Sequence, residues 1–343
     1  MPSVQETPPL PLPPRPEQSA APALDADDDN ADASSPSSWR VSALYTYPVK
    51  SCQPAELRES LVTETGLAYD RLWILTDTRS GRFVTQRQVP KLALIRVAIY
   101  ETSDTLELSA DSMAATLRLP LHPQLGKNEL GEQFKVRVWY DTVCGRCCGQ
   151  RASNWLTEFT GKPIRLLYKD PGEQRLVSRY VPPKEVCPVA PQSGFADVFP
   201  FHITTDVSLD DVNRHVPRPL KQQNFRPNIV LAAAAATQAY DEETWRRIEF
   251  VADPGSVHPS WSMLITSRTP RCTMPNVDLD TGVMAADREP LESLRKFRCV
   301  DPGQPKYPCF GMQATPQQIG HTIRVGQAVR VRERGLHSLT EPL

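Results

Sequence analysis

The chain has 343 residues, 40% hydrophobic and 23% charged, with a formal net charge of −1. That composition suits a globular protein with a real core, at a length that allows two domains. The longest apolar run, Ile229 to Ala236, falls far short of the roughly 20 residues a membrane-spanning helix needs, which argues against a helical membrane protein.

The first 38 residues hold nine of the 34 prolines, seven acidic residues and one arginine. Such a segment buries too little apolar surface to offset its conformational entropy, so residues 1–38 are expected to be a disordered tail. Its run PPLPLPPRP (8–16) has a polyproline II composition, and a solvated tail remains the simpler reading. The tail lacks the basic start and apolar stretch of a secretory signal and is too acidic for a mitochondrial presequence. An intracellular, cytoplasmic protein is expected, with mitochondrial association left open. The tail carries −6, so the remainder carries about +5, a balance suited to an anionic ligand. No Lys/Arg run is long enough to track a phosphate backbone, so nucleic acid is not expected.

From Trp39 onward the pattern is strand-rich. VSALYTYPVKS (41–51) alternates, RLWILTD (71–77) is continuously apolar, and GRFVTQRQ (81–88) begins after a Ser-Gly turn. LALIRVAIYE (92–101), TLELSA (105–110), ATLRLPL (115–121) and QFKVRVWYD (133–141) read as further strands. Many short strands at close spacing predict a barrel or sandwich rather than a parallel sheet. A helix is predicted at 152–160, where Ala152, Trp155, Leu156 and Phe159 share a face. A second is predicted at 208–216, with Ser208 and Asp211 at capping-box spacing. FRPNIVL (225–231) returns to strand, and HTIRVGQAVRVRE (321–333) reads as a hairpin turning at Gly326-Gln327.

Eight cysteines stand at 52, 144, 147, 148, 187, 272, 299 and 309, without the density of a secreted scaffold, which favours reduced thiols. Cys144-Gly-Arg-Cys147-Cys148 could supply half a zinc site or a redox pair, but no second ligand pair exists. The plainer reading is a strand-to-helix connection. Asp278-x-Asp280-x-Gly282 lacks the later ligands of a calcium loop and reads as a turn built by aspartate side chains. The histidines at 122, 202, 215, 258, 321 and 337 show no ligand spacing, and nucleophile-elbow, P-loop, dinucleotide and HExxH motifs are missing. Cys272 stands alone in SRTPRCTMPNVDLDTG (267–282), open to reading as a buried hydrophobe, a nucleophile, half a disulfide or a metal ligand. Basic and polar residues recur in stiff settings: Lys50 and Ser51 in YPVKS, Arg71 in YDRLW, Arg87 in TQRQVP, Arg226 and Asn228 in NFRPNIV, Arg271 in TPRCT. Together they suit a fixed anionic ligand bearing a phosphate.

In order, YPVKSC, DRLWIL, FVTQRQVPKLALI, NFRPNIVL, YDEETW, PRCTMPNVDLDTG and PLESLRKFR resemble the MOSC family, in the two-domain form of the mitochondrial amidoxime-reducing component and its bacterial relatives. The resemblance spans roughly residues 40–332. It implies a mainly β fold with some α: an N-terminal β-barrel domain (39–165) followed by a MOSC β-barrel domain with flanking helices (166–335). It also implies a molybdenum cofactor, Mo-molybdopterin. Cys272 would be the metal ligand and catalytic residue, and Lys50, Ser51, Arg71, Asp197, Arg226, Asn228 and Arg271 would bind the cofactor. A soft thiolate suits such a metal, and Arg271 beside it would favour the deprotonated sulfur. The implied activity is reduction of N-hydroxylated small molecules. No four-cysteine iron–sulfur segment is evident, so electrons are expected from a separate donor, cytochrome b5-like or ferredoxin-like. The alternative is a cofactor or sulfur carrier without turnover of its own. Relatives often carry serine where Pro270 stands, and some carry tyrosine at the position of Gln313.

Overall fold

A computed structural model describes residues 39–124, 129–234, 237–253, 255 and 259–337. The tail at 1–38 and His258 lie outside the described residues. In chain order, β1 (Trp39–Thr46), β2 (Ala55–Leu57), β3 (Glu59–Thr63), β4 (Gly66–Leu67) and β5 (Trp73–Asp77) come first. β6 (Arg96–Tyr100), β7 (Thr105–Ser109) and β8 (Leu117–Pro120) form a meander, and β9 (Gln133–Val138) and β10 (Asp141–Cys147) a hairpin. Helix α1 (Gly149–Thr160), β11 (Ile164–Lys169), β12 (Phe201–Thr205), α2 (Asp206–His215), α3 (Gln222–Phe225) and β13 (Ile229–Ala233) follow. The described chain closes with β14 (Trp245–Phe250), β15 (Trp261–Pro270), α4 (Leu291–Phe297), β16 (Cys309–Pro316), β17 (Thr322–Arg324) and β18 (Ala328–Arg334).

Seven strands close a barrel in the order β1-β13-β12-β16-β15-β14-β18 and back to β1. Only the β12–β13 pair among them is parallel. The barrel is plugged by alternating large side chains, among them Trp39, Phe201, Trp245, Phe250, Trp261 and Met312. Trp39 meets Trp245 edge-on at 4.9 Å, and Phe250 stacks on Trp261 at 4.2 Å. Burying a side chain such as Phe201 or Phe250 completely contributes about 1.5–3 kcal/mol. A second core lies under the sheet β5-β11-β10-β9, the meander and α1. There Ala152, Trp155, Leu156 and Phe159 turn inward, as their helical spacing predicts.

Several local expectations change; the strand expected over 92–101 is confined to Arg96–Tyr100, after a 3-10 turn at Pro90–Leu94. GRFVTQRQ is not a strand: Phe83 makes one bridge to Thr76, and the chain then turns, with the Gln88 side chain accepting from the Thr85 amide and hydroxyl. The hairpin expected at 321–333 has its turn but not its pairing, because β17 joins β3 while β18 joins β14 and β1. Cys144 and Cys147 lie within β10 rather than in a connection, and Cys148 precedes α1. Finally, α2 begins earlier than Ser208. Thr205 is its cap and accepts from the Ser208 amide at 3.2 Å.

The Ser208 hydroxyl, freed from capping, turns with Thr205 toward Glu242, donating to Oε2 at 2.9 Å. Glu242 is fully buried and its Oε1 has no partner among the described residues. Burial pushes its pKa from 4.5 up to about 7. The unfolded chain therefore releases this proton first, and the stabilisation is complete below about pH 4.5 and is lost as pH rises through 7. Glu242→Gln should flatten that slope. Relative to the variant, the parent should lose about 3 kcal/mol between pH 4.5 and 7, from 1.36 kcal/mol per pKa unit. Parallel denaturation curves for the two proteins across that window would contradict the burial argument.

Candidate functional site

A cavity of about 400 Å³ opens where loops from both halves of the chain meet. The turn after β1 brings Lys50 and Ser51, the segment before β5 brings Arg71, and the α3–β13 junction brings Arg226 and Asn228. The end of β15 brings Arg271 and Cys272, and the segment before β12 brings Asp197. All eight residues that the family resemblance implies for the site line this one cavity, and Arg87 lines it with them. Among the described residues its lining holds Lys50 and five arginines (71, 87, 226, 268 and 271) against a single carboxylate, Asp197, which sets a positive field for an anionic ligand.

The backbone here is strained. Ser51, Arg71, Trp139, Tyr180 and Arg226 all line the cavity with φ between 48° and 75°. Non-glycine residues in such conformations cost on the order of 1–3 kcal/mol each and cluster at functional sites.

Each cation is braced from behind. Arg71 donates to Asp70 at 2.5 Å, to Asn228 Oδ1 at 3.0 Å and to the Arg226 carbonyl at 3.1 Å. Arg226 donates from Nη1 to the Cys52 carbonyl at 2.8 Å. Both guanidinium groups lie over the Tyr47 ring, at 4.3 and 4.2 Å, a cation–π support. Burial lowers the Arg226 pKa to about 10, which leaves it charged. Asn228 uses its whole amide on the protein, with Nδ2 on the Tyr45 carbonyl and Asp70, and Oδ1 on Arg71 and the His202 amide. It positions Arg71 rather than reaching a ligand.

Arg271 likewise spends Nε and Nη2 on the Phe310 carbonyl and Nη1 on that of Phe225. Its Nη2 also lies 2.6 Å from His202 Nε2. Arginine cannot accept, so Nε2 carries the lone pair and His202 is neutral. Burial, then the Arg271 charge, holds the His202 pKa well below its usual value. Gly311 makes this contact possible: it sits at φ 74°, and a Cβ there would lie 2.4 Å from His202 Nε2.

Lys50 is buried and donates to the Phe195 carbonyl at 2.8 Å and to Asp197 Oδ1 at 2.5 Å. Burial lowers its pKa to about 8 against the pull of Asp197. For Asp197, enclosure by the cavity walls works upward, although the side chain is 52% open at the mouth, and Lys50, the Trp139 indole and Arg87 outweigh it and hold the carboxylate below its usual range. Arg175 supports the Asp197 loop, donating to the carbonyls of Gly194, Ala196 and Asp197 and to Asp141. Sequence reasoning missed Arg175, Trp139, His202 and the buried acid Asp70. Only Asp70 carried a signal, as the acid beside Arg71 in YDRLW.

Cys272 is the exposed thiol of the eight, all of them unpaired. Its sulfur accepts from the Met274 amide at 3.5 Å. Cys52 and Cys309 are buried, and burial pushes their thiols up to about 12. No group of three or more His, Cys, Asp or Glu side chains with metal-binding geometry exists among the described residues. The Cys144–Cys148 cluster is therefore not a protein-only metal cage. The Asp278 turn is as expected, with its carboxylate accepting from the Asp280 and Thr281 amides.

Ser51 Oγ and Arg226 Nη2 are buried polar atoms of the lining with no partner among the described residues. Native interiors rarely leave such groups unpaired unless an ion or ligand meets them. They fit an anion with several acceptor oxygens, and the exposed Cys272 sulfur fits a soft metal.

A two-part β protein with a cation-lined cavity and one exposed thiol is the class these features define. Residues 38–163 match the MOSC N-terminal beta barrel domain and residues 191–330 the MOSC domain. The chain belongs to the MOSC-domain family. It is 35% identical over 299 residues to mitochondrial amidoxime-reducing component 1 of Mus musculus, covering 84% of this chain and 81% of the relative. The human component 1 is 33% identical over 302 residues, covering 84% and 82%, and human component 2 is 33% identical over 301 residues with the same coverage. No helix among the described residues is long and apolar enough to cross a membrane.

Proposed function

We propose that this protein is a molybdenum-cofactor oxidoreductase that reduces N-hydroxylated compounds with electrons from a separate donor protein. The observation that carries the reading is the pairing of an exposed Cys272 thiol with unpartnered Ser51 and Arg226 donors in one cationic cavity. The names of the relatives point to the N–O bond of an amidoxime as the target.

Cys272 would ligate the metal, while Lys50, Ser51, Arg71 and Arg226 would hold the pterin and its phosphate. When bound, the cofactor supplies two-electron chemistry, so that an amidoxime, two electrons and two protons give an amidine and water. The chain's own work is placement. Arg226 offers Nη2 because Nη1 is tied to the Cys52 carbonyl, and Asn228 fixes the plane of Arg71. Arg271 ties the segment before Cys272 to β16 and β12 through Phe310 and His202. Lys50 is aimed by the Phe195 carbonyl and Asp197, which hold its ammonium at the cavity wall.

Metal and pterin analysis of the purified protein, paired with benzamidoxime reduction by a chemical donor, tests this reading. Bound cofactor with turnover supports it. Bound cofactor without turnover turns it into a carrier, and absence of both overturns it. Arg226→Ala should lower pterin occupancy about tenfold, as expected for a lost charge-assisted bond, with the melting temperature of the cofactor-free form little changed. Full occupancy in the variant would assign Arg226 to bracing alone.

A further inference from the structure

The rim of the cavity carries a further arrangement beside the groups assigned above to the cofactor. Trp139 and Tyr140 form the tip of the β9–β10 hairpin, and Trp139 sits at φ 54°. A bulky side chain in the left-handed region is an outlier that persists only when its surroundings fix it. Here three contacts fix the indole. Its Nε1 donates to Asp197 Oδ1 at 2.9 Å, the Arg87 guanidinium lies over it at 4.6 Å, and Phe83 meets it edge-on at 5.8 Å. Even so, Trp139 stays 39% exposed.

Asp197 complements it. Oδ1 is taken by Lys50 and Trp139, whereas Oδ2 accepts from none of the described residues, and the side chain is 52% open. The one carboxylate of a cationic lining is useless to an anion, so Oδ2 calls for an N–H donor. That donor would arrive beside an indole surface suited to a flat conjugated group.

We propose that Trp139 and Asp197 form the substrate subsite, selecting N-hydroxyamidines with an aromatic body. The ring packs on the indole, and the amino group on the oxime carbon donates to Asp197 Oδ2. The assignment rests on the function proposed above for the N–OH group, and adds the two features read around it. Trp139 is then a specificity residue and also positions Asp197 through Nε1.

The test is calorimetric binding to the purified holoenzyme without an electron donor, so nothing turns over. Benzamidoxime, acetamidoxime (no ring) and benzaldoxime (no amino group) are compared. The parent should bind benzamidoxime about tenfold tighter than either analogue: acetamidoxime forfeits the ring contact with the indole, and benzaldoxime leaves Asp197 Oδ2 without its donor. Trp139→Ala should erase the preference over acetamidoxime. Asp197→Asn should erase the preference over benzaldoxime, because Oδ1 stays on Lys50 and Trp139 and an amide N–H replaces the free acceptor. Trp139→Phe should keep the ring preference. Equal affinity of the parent for the three ligands, no binding of benzamidoxime, or either variant retaining its preference would overturn the subsite, and the parent series alone suffices should a variant misfold. Failure of the functional reading shows separately, as protein lacking metal and pterin or as binding without reduction.

Discussion

Cys272→Ser should abolish amidoxime reduction while leaving the fold intact. The exchange puts a hard, weakly acidic hydroxyl where a soft sulfur would meet the metal. Loss of an outer-shell partner typically costs about 10–100-fold in metal affinity or activity, so loss of the ligand itself should exceed that. The residue is exposed and its sulfur accepts one amide, so melting should shift by no more than about 0.5 kcal/mol equivalent. Pterin content should fall less than activity, because Lys50, Ser51, Arg71 and Arg226 grip other atoms. Cys147→Ser on β10 is the control and should keep metal and turnover. A Cys272→Ser protein with normal turnover, beside an inactive Cys147→Ser protein, would move the ligand to the Cys144–Cys148 cluster.

Asp70→Ala should produce the largest loss of stability. Asp70 is 1% exposed and accepts from Arg71, the Tyr47 amide and the Asn228 amide. Removing it strands a guanidinium whose own side chain is only 11% exposed. Breaking a buried pair from one side costs about 3–5 kcal/mol, which for a protein of this size is a melting shift of roughly 10 °C. Pterin occupancy should fall with it, since Arg71 loses its aim. Asp70→Asn keeps the shape and should fall between. An Asp70→Ala protein melting within a degree of the parent would show that Tyr47, Arg226 and Asn228 hold Arg71 without the acid.

The two halves of this site were unequally visible in the sequence. Residue types and local stiffness marked Lys50, Ser51, Arg71, Arg226, Asn228, Arg271 and Cys272, because each stands in a short motif of restrictive neighbours. Their division of labour was not visible. Asn228 looked like a ligand donor, yet its amide is consumed by Arg71, Asp70 and two backbone groups. Asp197 lines the cavity as its sequence assignment implied, but its anchoring of Lys50 across 147 positions and its bond to the Trp139 indole were not legible. Hydrogen-bond saturation is a property of the assembled pocket.

Local pattern alone determined the strand-rich character, the inward face of α1 at Ala152, Trp155, Leu156 and Phe159, and the turn at Asp278–Gly282. In each, the deciding contacts lie within a few residues, where side-chain period and turn chemistry act directly. Only the tertiary structure decided that β1 pairs with β13 and β18 to close the barrel, and that β17 and β18 part company at Gly326. Alternation reports which face of a strand is buried and is silent on which strand lies beside it. Trp39 opposite Ala233, Val329 and the Trp245 ring is settled by how large side chains fill a closed barrel, and that packing exists only once distant segments have met.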